Sequence, residues 1–112
     1  MTEHSFESVV VDLPKLRDYC LSEIHPRGRH KARVFRSSLG LSAGNAELLR
    51  QALTNAVHDS REKIQTTNVD QYGQRYLLDF VMTTPAGTAM IRSTWIVLTG
   101  ENMLKLTSCY VL

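Results

Sequence analysis

The chain is poor in the residues that build metal centres and disulfide frameworks. Only two of its 112 residues are cysteines, Cys20 and Cys109, and no CxxC spacing or cysteine–histidine cluster accompanies them. Structural zinc sites need closely spaced ligands of these types, so the sequence predicts neither a metal site nor another cofactor. We expect both cysteines to be free thiols in the core, because Cys20 falls in an apolar-periodic segment and Cys109 in a predicted strand.

Long hydrophobic runs are also absent. No apolar run approaches the roughly 20 residues of a transmembrane helix, and no basic-then-apolar secretory signal opens the chain. We therefore expect a cytoplasmic protein that does not interact with membranes. Hydrophobic residues make up 43% of the chain and charged residues 21%, which is typical of a globular domain, and the length of 112 residues suffices for one hydrophobic core.

Motifs for several common hydrolytic chemistries are missing. Eleven acidic residues are scattered along the chain, and no DxD, HExxH or glycine-rich phosphate loop is present. The stretch "RGRHK" has one glycine and no following Lys-Ser/Thr pair, while "SSLGLSAG" lacks the strand–turn–helix context of a hydrolase nucleophile elbow. The sequence therefore argues against nucleotide hydrolysis, paired-carboxylate catalysis and a serine hydrolase.

The chain does contain one concentrated basic segment, "HPRGRHKARVFR" at residues 25–36. It holds five lysine and arginine residues and two histidines, without one acidic residue. Since the whole chain carries a net charge of +2, the remaining residues sum to −3. A local basic focus on a mildly acidic body indicates an anionic partner at one site. The alternative is a basic helix face that simply meets water.

Helical periodicity dominates the N-terminal half. The spacing predicts three helices, at about 14–24, 29–39 and 42–58. Pro14 suits a first helical turn, and the pair His25-Pro26 ends the first helix because the residue before proline disfavours the α region. Gly40 is the expected left-handed cap of the second helix. The expected buried stripes are Leu16, Tyr19, Cys20 and Ile24, then Ala32, Phe35 and Leu39, then Leu48, Leu49, Ala52, Leu53 and Val57.

Strand periodicity dominates the last third. Three segments alternate apolar and polar residues, "QRYLLDFVMTT", "TAMIRSTWIVL" and "MLKLTSCYVL", and the turns "TPAG" and "TGEN" separate them. We expect an antiparallel meander with one apolar face, built from Tyr76, Leu78, Phe80 and Met82, then Ile91, Trp95 and Val97, then Leu104, Leu106, Tyr110 and Leu112.

The two turns also predict a register for this meander. If each turn is a four-residue loop, every residue of one strand has a defined neighbour on the next strand. The predicted neighbours are Phe80 with Ile91 and Trp95 with Leu106 on the apolar face, and Asp79 with Arg92 and Thr94 with Thr107 on the polar face, where Lys105 and Arg75 lie nearby.

The expected fold class is α+β, with two to three N-terminal helices packed on a three- to four-stranded antiparallel β-meander. We expect a single domain over residues 1–112. It divides into an extended lead-in at 1–12, in which "ESVVVDL" is either extended or a short strand, a helical part at 13–58 and an antiparallel sheet at 70–112. The polar connector between the last two parts has room for one short edge strand.

The remaining inventory of histidine, arginine, lysine, threonine and tyrosine suits metal-independent RNA cleavage through the 2′-hydroxyl. A histidine can remove or deliver the proton, and guanidinium or ammonium groups can stabilise charge on the phosphorane. We predict His25, Lys31 and Arg92 as catalytic residues, with His25 as the acid–base group and the two cations on the phosphate. The expected substrate-binding residues are Arg27, Arg29, His30, Arg75, Thr94 and Thr107.

Each candidate also has a structural alternative. His25, which precedes Pro26, can simply close a helix end, and His30 can be a surface residue of a first helical turn. Arg92 opposite Asp79 can be an ordinary cross-strand ion pair. Threonines are common in strands, and the tyrosines of the sheet are more typical of packing than of base stacking.

Four segments in this order, "HPRGRHKARVFRSSLGL", "DQYGQRYLLDF", "IRSTWIV" and "LTSCYVL", resemble an uncharacterised bacterial domain family of about this length. The resemblance covers roughly residues 13–112. Related domains occur as small stand-alone proteins and at the C-terminal ends of large polymorphic toxins. The order of helices followed by a meander is also similar, at the level of the fold, to the barnase/EndoU/colicin D/RelE-like RNases.

The resemblance implies a toxin-type domain with its site on a sheet face. Carried over residue by residue, the family pattern covers His25, Gly28, His30, Lys31, Tyr72, Gly73, Arg75, Tyr76, Asp79, Arg92, Trp95, Thr107 and Tyr110. Some relatives lack a histidine that matches His30, which favours His25, Lys31 and Arg92 as the catalytic set.

The leading functional prediction is a metal-independent ribonuclease toxin domain that acts on RNA phosphodiesters. Its expected partners are RNA and a neutralising protein encoded nearby. One alternative is a non-catalytic interaction module, either immunity-like, antitoxin-like or RNA-binding, which predicts binding without turnover. Another is a structural helper domain whose basic segment only keeps it soluble.

Overall fold

Helices and strands follow one another along the chain in a computed structural model that describes residues 6–112. The first five residues of the predicted lead-in, His4 among them, lie outside the described residues. The elements are β1 (Ser8–Val10), α1 (Leu13–Lys15) with a π-helical turn (Leu16–Cys20), α2 (Arg29–Leu39), a 3₁₀ turn (Ala43–Asn45), α3 (Ala46–Asp59), a second 3₁₀ turn (Arg61–Lys63), β2 (Gln65–Val69), β3 (Gly73–Thr84), β4 (Gly87–Leu98) and β5 (Met103–Val111).

The strands form one five-stranded sheet in the order β1-β5-β4-β3-β2. Strands β2 to β5 pair antiparallel, whereas β1 runs parallel to β5, so the sheet is mixed. The fold is α+β as expected in that respect, but the predicted three- to four-stranded antiparallel meander is wrong. β1 has three residues and its partner lies at the other end of the chain, so no hairpin turn signals this pairing in the sequence.

β3 and β4 form a hairpin that pairs without a shift along its whole length. The predicted register is confirmed here, since Phe80 lies opposite Ile91 and Asp79 lies opposite Arg92. Alternation then places Phe80 on the side of the helices and Asp79 on the other side. A turn of defined length was sufficient to align both faces of these two strands.

β4 and β5 pair with one irregularity. Trp95 lies opposite Leu106 as predicted, but Thr94 lies opposite Ser108, which leaves Thr107 as an extra residue in β5. Such a β-bulge reverses the alternation of the strand, because side chains change face with a period of two.

Because of the bulge, the side chains at the end of β5 point to the face opposite from the one that regular pairing would give. Cys109, opposite Ser93, is 1% exposed and belongs to the core. Tyr110 lies opposite Arg92, on the face away from the helices. The expected place of Tyr110 on the apolar face is therefore wrong.

Helix α2 packs as its spacing predicts. Ala32, Phe35 and Leu39 are at most 1% exposed, and Gly40 closes the helix with a left-handed backbone (φ 67°). Its N–H is bonded to the carbonyl of Arg36, as in a helix C-cap. The predicted second helix and its inner stripe are confirmed.

Two predicted members of the other helical stripes are wrong. Ile24 is 91% exposed, because α1 widens into the π-helical turn and the helical segment ends near Leu21, whose N–H bonds to the carbonyl of Leu16. Leu21 takes the buried position instead. On α3, Leu48 is 52% exposed, while its neighbour Leu49 is fully buried. Helical spacing therefore predicted the buried face of each helix, but not which residues at the margin of that face are exposed.

The two cysteines meet in the core. Both are free and buried, which confirms the prediction for them. The Cys20 thiol hydrogen-bonds with Cys109, and this contact together with burial raises the pKa of Cys109. The pair therefore packs the π-helical turn against the end of β5, next to the bulge.

Candidate functional site

The helices cover one face of the sheet, where Leu78, Ile91 and Trp95 are fully buried. We call the opposite side the polar face. Its centre carries half-buried side chains from three neighbouring strands, namely Asp79, Arg92, Thr94, Thr107 and Tyr110. Arg92 and Thr94 lie on β4, which pairs with β3 on one side and with β5 on the other, so strand backbone holds these two positions from both sides.

Arg92 and Asp79 form a bidentate ion pair at the middle of the polar face. Arg92 donates from Nε to Oδ1 at 2.9 Å and from Nη2 to Oδ2 at 2.8 Å. Hydrogen bonding to Arg92 holds the pKa of Asp79 below its ordinary value, and the carboxylate raises the pKa of Arg92. The side chains are 35% and 30% exposed, so a ligand can approach the pair from solvent.

Tyr110 places a phenol next to this ion pair. It lies directly opposite Arg92 on β5, and its contact with the guanidinium adds a smaller contribution to the raised pKa of Arg92. The two bonds to Asp79 use Nε and Nη2, whereas Nη1 takes no part in them. Arg92 therefore connects a carboxylate on β3 with a hydroxyl on β5.

Lys31 reaches the same tyrosine from α2. Its Nζ lies 4.3 Å from the centroid of the Tyr110 ring, in cation–π geometry. β1 pairs only with residues 103–105 of β5, so the later part of β5 is an edge at which a lysine of α2 can reach Tyr110. Lys31 and Arg92, both predicted as phosphate contacts, are thereby joined through one ring.

The start of α2 is held in place by a close packing contact. A Cβ on Gly28 would lie 2.5 Å from the carbonyl oxygen of Tyr19, so only glycine allows this turn to approach the π-helical turn. The contact fixes where α2 begins, and hence where Lys31 stands relative to β5.

Thr94 and Thr107 form a hydroxyl pair beside Arg92. Their Oγ1 atoms lie 2.7 Å apart, and Thr94 also donates to the carbonyl of Ser108 at 3.3 Å. The predicted adjacency of the two threonines is confirmed as a contact, but it arises from the bulge and not from the regular pairing. The pair offers hydroxyl groups beside the ion pair. We call Lys31 and the five sheet residues Asp79, Arg92, Thr94, Thr107 and Tyr110 the cluster.

His25 has other partners. Its Nδ1 accepts the backbone N–H groups of Arg27 at 3.1 Å and Gly28 at 3.2 Å, and its ring packs edge-on against Tyr19 at 4.6 Å. Within the described part of the chain, no hydrogen bond, ion pair or ring contact links His25 to Lys31 or to the sheet residues of the cluster. With Nδ1 accepting, the neutral imidazole carries its proton on Nε2.

The other predicted binding residues lie around the cluster. Arg27, Arg29 and His30 are exposed in the turn before α2 and in its first turn. Arg75 pairs instead with Asp70, at 2.6 Å between Nε and Oδ2. It lies four residues before Asp79 on β3, or about 13 Å along the strand. The structure therefore does not bring Arg75 to the centre of the polar face.

Two larger features are not found among residues 6–112. No three histidine, cysteine, aspartate or glutamate side chains lie close enough together to hold a metal ion. In the same residues, no helix combines the length and the apolar character needed to cross a membrane.

Tyr110 is the cluster residue that sequence reasoning misplaced. Tyr110 is part of the family pattern, which indicated a functional position. Strict alternation from Leu104 and Leu106, however, predicted that Tyr110 lies in the core. The signal for the correct face is Cys109, a small residue typical of buried positions that is out of phase with those two leucines. Two apolar series that are out of phase within one strand indicate a bulge.

Comparison with solved structures finds a similar fold in a protein from a bacterial toxin system. A chain of the contact-dependent growth inhibition toxin–immunity protein complex from Klebsiella pneumoniae 342 matches with a TM-score of 0.69 and 21% sequence identity. The match covers 92% of this chain and 99% of that chain. At this identity the likeness concerns the fold.

Comparison with protein sequences gives the family. No curated protein matches the chain. The family described as "Domain of unknown function (DUF6883)" matches residues 3–112, nearly the whole chain. The expected resemblance to a family of that kind is confirmed to this extent: the chain belongs to the DUF6883 family.

Proposed function

We propose that the chain is a toxin-type domain that cleaves RNA phosphodiesters in the cytoplasm without a metal ion. The observation that carries this proposal is the convergence of Lys31, Tyr110 and Arg92 on the polar face. Two cations at one tyrosine, Lys31 over its ring and Arg92 at its hydroxyl, match the needs of a phosphodiester that gains charge in its transition state. The likeness to a chain from a growth-inhibition toxin–immunity complex supports a toxin- or immunity-like role, of which the toxin-type role is the one proposed.

The cluster suggests a division of roles in this reaction. The 2′-oxygen attacks phosphorus, so a bond between them forms and the bond from phosphorus to the 5′-oxygen breaks. A base takes the proton of the 2′-hydroxyl, and an acid returns a proton to the 5′-oxygen. We assign Arg92 and Lys31 to the non-bridging oxygens, and the hydroxyl of Tyr110, which both cations contact through its side chain, to one proton transfer.

His25 is our candidate for the second proton transfer. It lies in the turn that leads into α2 and Lys31, and its Nε2 is not engaged by the backbone bonds at Nδ1. Arg27, Arg29 and His30 follow from the same turn and are assigned to flanking phosphates. Such contacts make binding strongly dependent on salt, because each phosphate neutralised releases counterions.

The experiment is an RNA cleavage assay in EDTA with purified protein free of any inhibitor. We expect cleavage of some RNA in a broad panel, with 2′,3′-cyclic phosphate ends. The double variant Lys31→Ala, Arg92→Ala should lose at least about a hundredfold in rate, since it removes both groups assigned to the phosphate. The matched control is Arg17→Ala, Lys63→Ala, which removes the same charge from exposed positions outside the basic segment.

Two results would contradict the proposal. The first is a folded wild-type protein that leaves the whole RNA panel intact. The second is equal loss of activity in the double variant and in its control, because the effect would then follow net charge and not the cluster.

A non-catalytic interaction module is the second candidate, and the Asp79–Arg92 pair favours it. The carboxylate occupies two donors of Arg92 and neutralises its charge, as in a cross-strand pair that only orients a binding surface. In this candidate the chain is immunity-like, antitoxin-like or RNA-binding, and it binds a toxin protein or RNA without turnover. Co-expression with the product of the neighbouring gene, followed by size-exclusion chromatography, would detect such a protein complex, and the EDTA assay of the same sample would detect turnover.

A further inference from the structure

Two thiols meet where the last strand has no neighbour on one side. β1 pairs with β5 only at residues 103–105, whereas β5 continues to Val111. Among residues 6–112, no strand lies beside the later part of β5 on this side. The π-helical turn approaches β5 there, because its last residue, Cys20, hydrogen-bonds with Cys109.

The hydrogen bonds between β4 and β5 aim the backbone of Cys109 at this edge. Leu112 donates its N–H to the carbonyl of Met90 at 2.9 Å, so these two residues form a hydrogen-bonded pair. Hydrogen-bonded and non-hydrogen-bonded pairs alternate along an antiparallel ladder. Three pairs further on, Cys109 and Ser93 therefore form a non-hydrogen-bonded pair. The N–H of Cys109 thus points away from β4, towards Cys20.

The Cys20 sulfur accepts hydrogen bonds from both the thiol and the backbone N–H of Cys109. The pKa of Cys20 lies below its ordinary value, chiefly because of the bond from the Cys109 thiol, and burial opposes this effect. The charges of Lys15 and Lys31 lower the same pKa further, by smaller amounts. Because the pKa of Cys109 is raised, Cys20 is the thiol that ionises first. The thiolate is the form that reacts with oxidants.

Cys20 lies just below the surface of the molecule. It is 3% exposed, whereas Cys109 is 1% exposed. Arg17 and Asp18 of the same π-helical turn are exposed, and so is Lys31, whose charge acts on Cys20. The turn takes no part in the sheet, so a small opening of it exposes Cys20 without breaking a strand pair. Hydrogen peroxide is small enough to enter through such an opening.

We propose that Cys20 and Cys109 are a redox-active pair that a peroxide converts into a disulfide. The thiolate of Cys20 attacks one oxygen of hydrogen peroxide, so an S–O bond forms, the O–O bond breaks and hydroxide leaves. The hydroxide takes up the proton that the Cys20 thiol released. The thiol of Cys109 then attacks the sulfenic acid sulfur, an S–S bond forms and water leaves. In total, two thiols lose two electrons and two protons, and the peroxide becomes two molecules of water.

The disulfide joins two elements that are far apart in the chain. Cys20 belongs to the first helical segment and Cys109 to the last strand, so the bond closes a loop that contains most of the chain. A long closed loop restricts the unfolded chain, so we expect the bridge to stabilise the fold. In a reducing compartment the bridge is transient and follows exposure to an oxidant.

The bridge also lies between two parts of the candidate site. Tyr19, next to Cys20, packs against His25 in the turn before α2, and Tyr110 follows Cys109. The disulfide therefore ties this turn to the strand that carries the phenol. The inference does not depend on the proposed RNA cleavage, and each can fail without the other.

The experiment treats the folded full chain with hydrogen peroxide and maps its peptides without reduction. We expect one linked product of the peptides that contain Cys20 and Cys109, lighter by two hydrogen atoms than their sum. Dithiothreitol should restore both thiols and lower the melting temperature of the oxidised sample by at least about 5 °C. Since dithiothreitol leaves oxidised methionines unchanged, this difference belongs to the bridge.

Two alanine variants, each the matched control of the other, test the order of the steps. In Cys109→Ala, Cys20 has no second thiol, so dimedone should trap its sulfenic acid. In Cys20→Ala, Cys109 should react with peroxide at least about tenfold more slowly than Cys20 does in Cys109→Ala. A faster reaction of Cys109 would overturn the assigned order.

Three results with the wild-type chain overturn the proposal. These are two thiols that stay free after peroxide treatment, bridges that form only between two chains, and a melting temperature that dithiothreitol does not change. Because these measurements need no substitution, they decide the question even if circular dichroism shows that an alanine variant is unfolded.

Discussion

The β3–β4 hairpin and the β4–β5 hairpin differ by one extra residue in a strand of the second. β3 and β4 pair from Gly73 to Leu98 without a shift, and each residue faces the side that simple alternation assigns to it. β4 and β5 are joined by a similar short turn, but β5 carries the extra residue Thr107. Everything after Thr107 faces the opposite side from the one that its leucines predict.

This difference decides which side chains meet on the polar face. With regular pairing throughout, Cys109 would lie opposite Arg92 and Tyr110 would enter the core. The bulge instead buries Cys109 against Cys20 and brings Tyr110 to Arg92 and Lys31. The regular hairpin thus supplies the ion pair, and the irregular one supplies the phenol beside it.

The largest expected effect comes from deleting one residue in each hairpin. Deletion of Leu77 from β3 forces Tyr76 or Leu78 onto the wrong face, so we expect loss of the cooperative fold. Deletion of Thr107 removes only the unpaired residue and leaves the pairing of Ser108 to Tyr110 unchanged, so this variant should fold. Urea denaturation followed by tryptophan fluorescence measures both. Equal losses of stability in the two deletion variants would contradict this comparison of the hairpins.

A smaller effect is expected from Ser93→Ala, at the point of β4 between the two hairpins. Ser93 is fully buried, donates to the carbonyl of Leu78 at 2.7 Å and accepts the Trp95 indole N–H at 2.8 Å. Removal of the hydroxyl leaves a buried indole N–H without its acceptor, so we expect a loss of about 1–3 kcal/mol in the free energy of unfolding.

The control for Ser93→Ala is Ser37→Ala, at an exposed serine of α2. Urea denaturation should show almost no change for this control. Equal free energies of unfolding for the two variants would mean that the buried hydroxyl does not stabilise the joint between the hairpins.

The smallest effect is expected from Asp79→Asn, within the regular hairpin. Arg92 holds the pKa of Asp79 below its ordinary value of 3.8, so the pair stabilises the fold above that pH and the stabilisation is lost as the pH falls through the lowered pKa. The melting temperatures of wild type and Asp79→Asn should therefore differ slightly at pH 7 and converge near pH 2. Asp59→Asn, at the exposed end of α3, serves as the control. A difference that persists at pH 2 would contradict this interpretation.

Local spacing accounts for the parts of the fold that could be predicted. The stripe around Phe35, the cap at Gly40 and the register of Phe80 with Ile91 depend on residues close together in the sequence or on one short turn. β1 and β2 lie in segments where the sequence left a short strand open, but their place in the sheet could not be predicted in the same way. β1 pairs with a strand at the other end of the chain, and every residue of β2 is exposed, so β2 shows no alternation of buried and exposed residues.

The candidate site also contains contacts that local spacing predicts and contacts that it does not. The neighbours Asp79 and Arg92 followed from the turn between their strands. The contact of Lys31 with Tyr110 depends on the bulge and on where α2 begins, and neither is encoded by a simple period. The partners of His25 lie in a turn whose geometry depends on its packing against Tyr19, so its separation from the cluster could not be anticipated either.

The central claim is that Tyr110 takes part in the chemistry of the polar face, and one measurement tests it most directly. The initial rate of RNA cleavage in EDTA is compared between Tyr110→Phe and Tyr72→Phe, since Tyr72 is an exposed tyrosine outside the cluster. Our proposal predicts a loss of at least about tenfold for Tyr110→Phe, with unchanged RNA binding, and a normal rate for Tyr72→Phe. Equal rates for the two variants would contradict it.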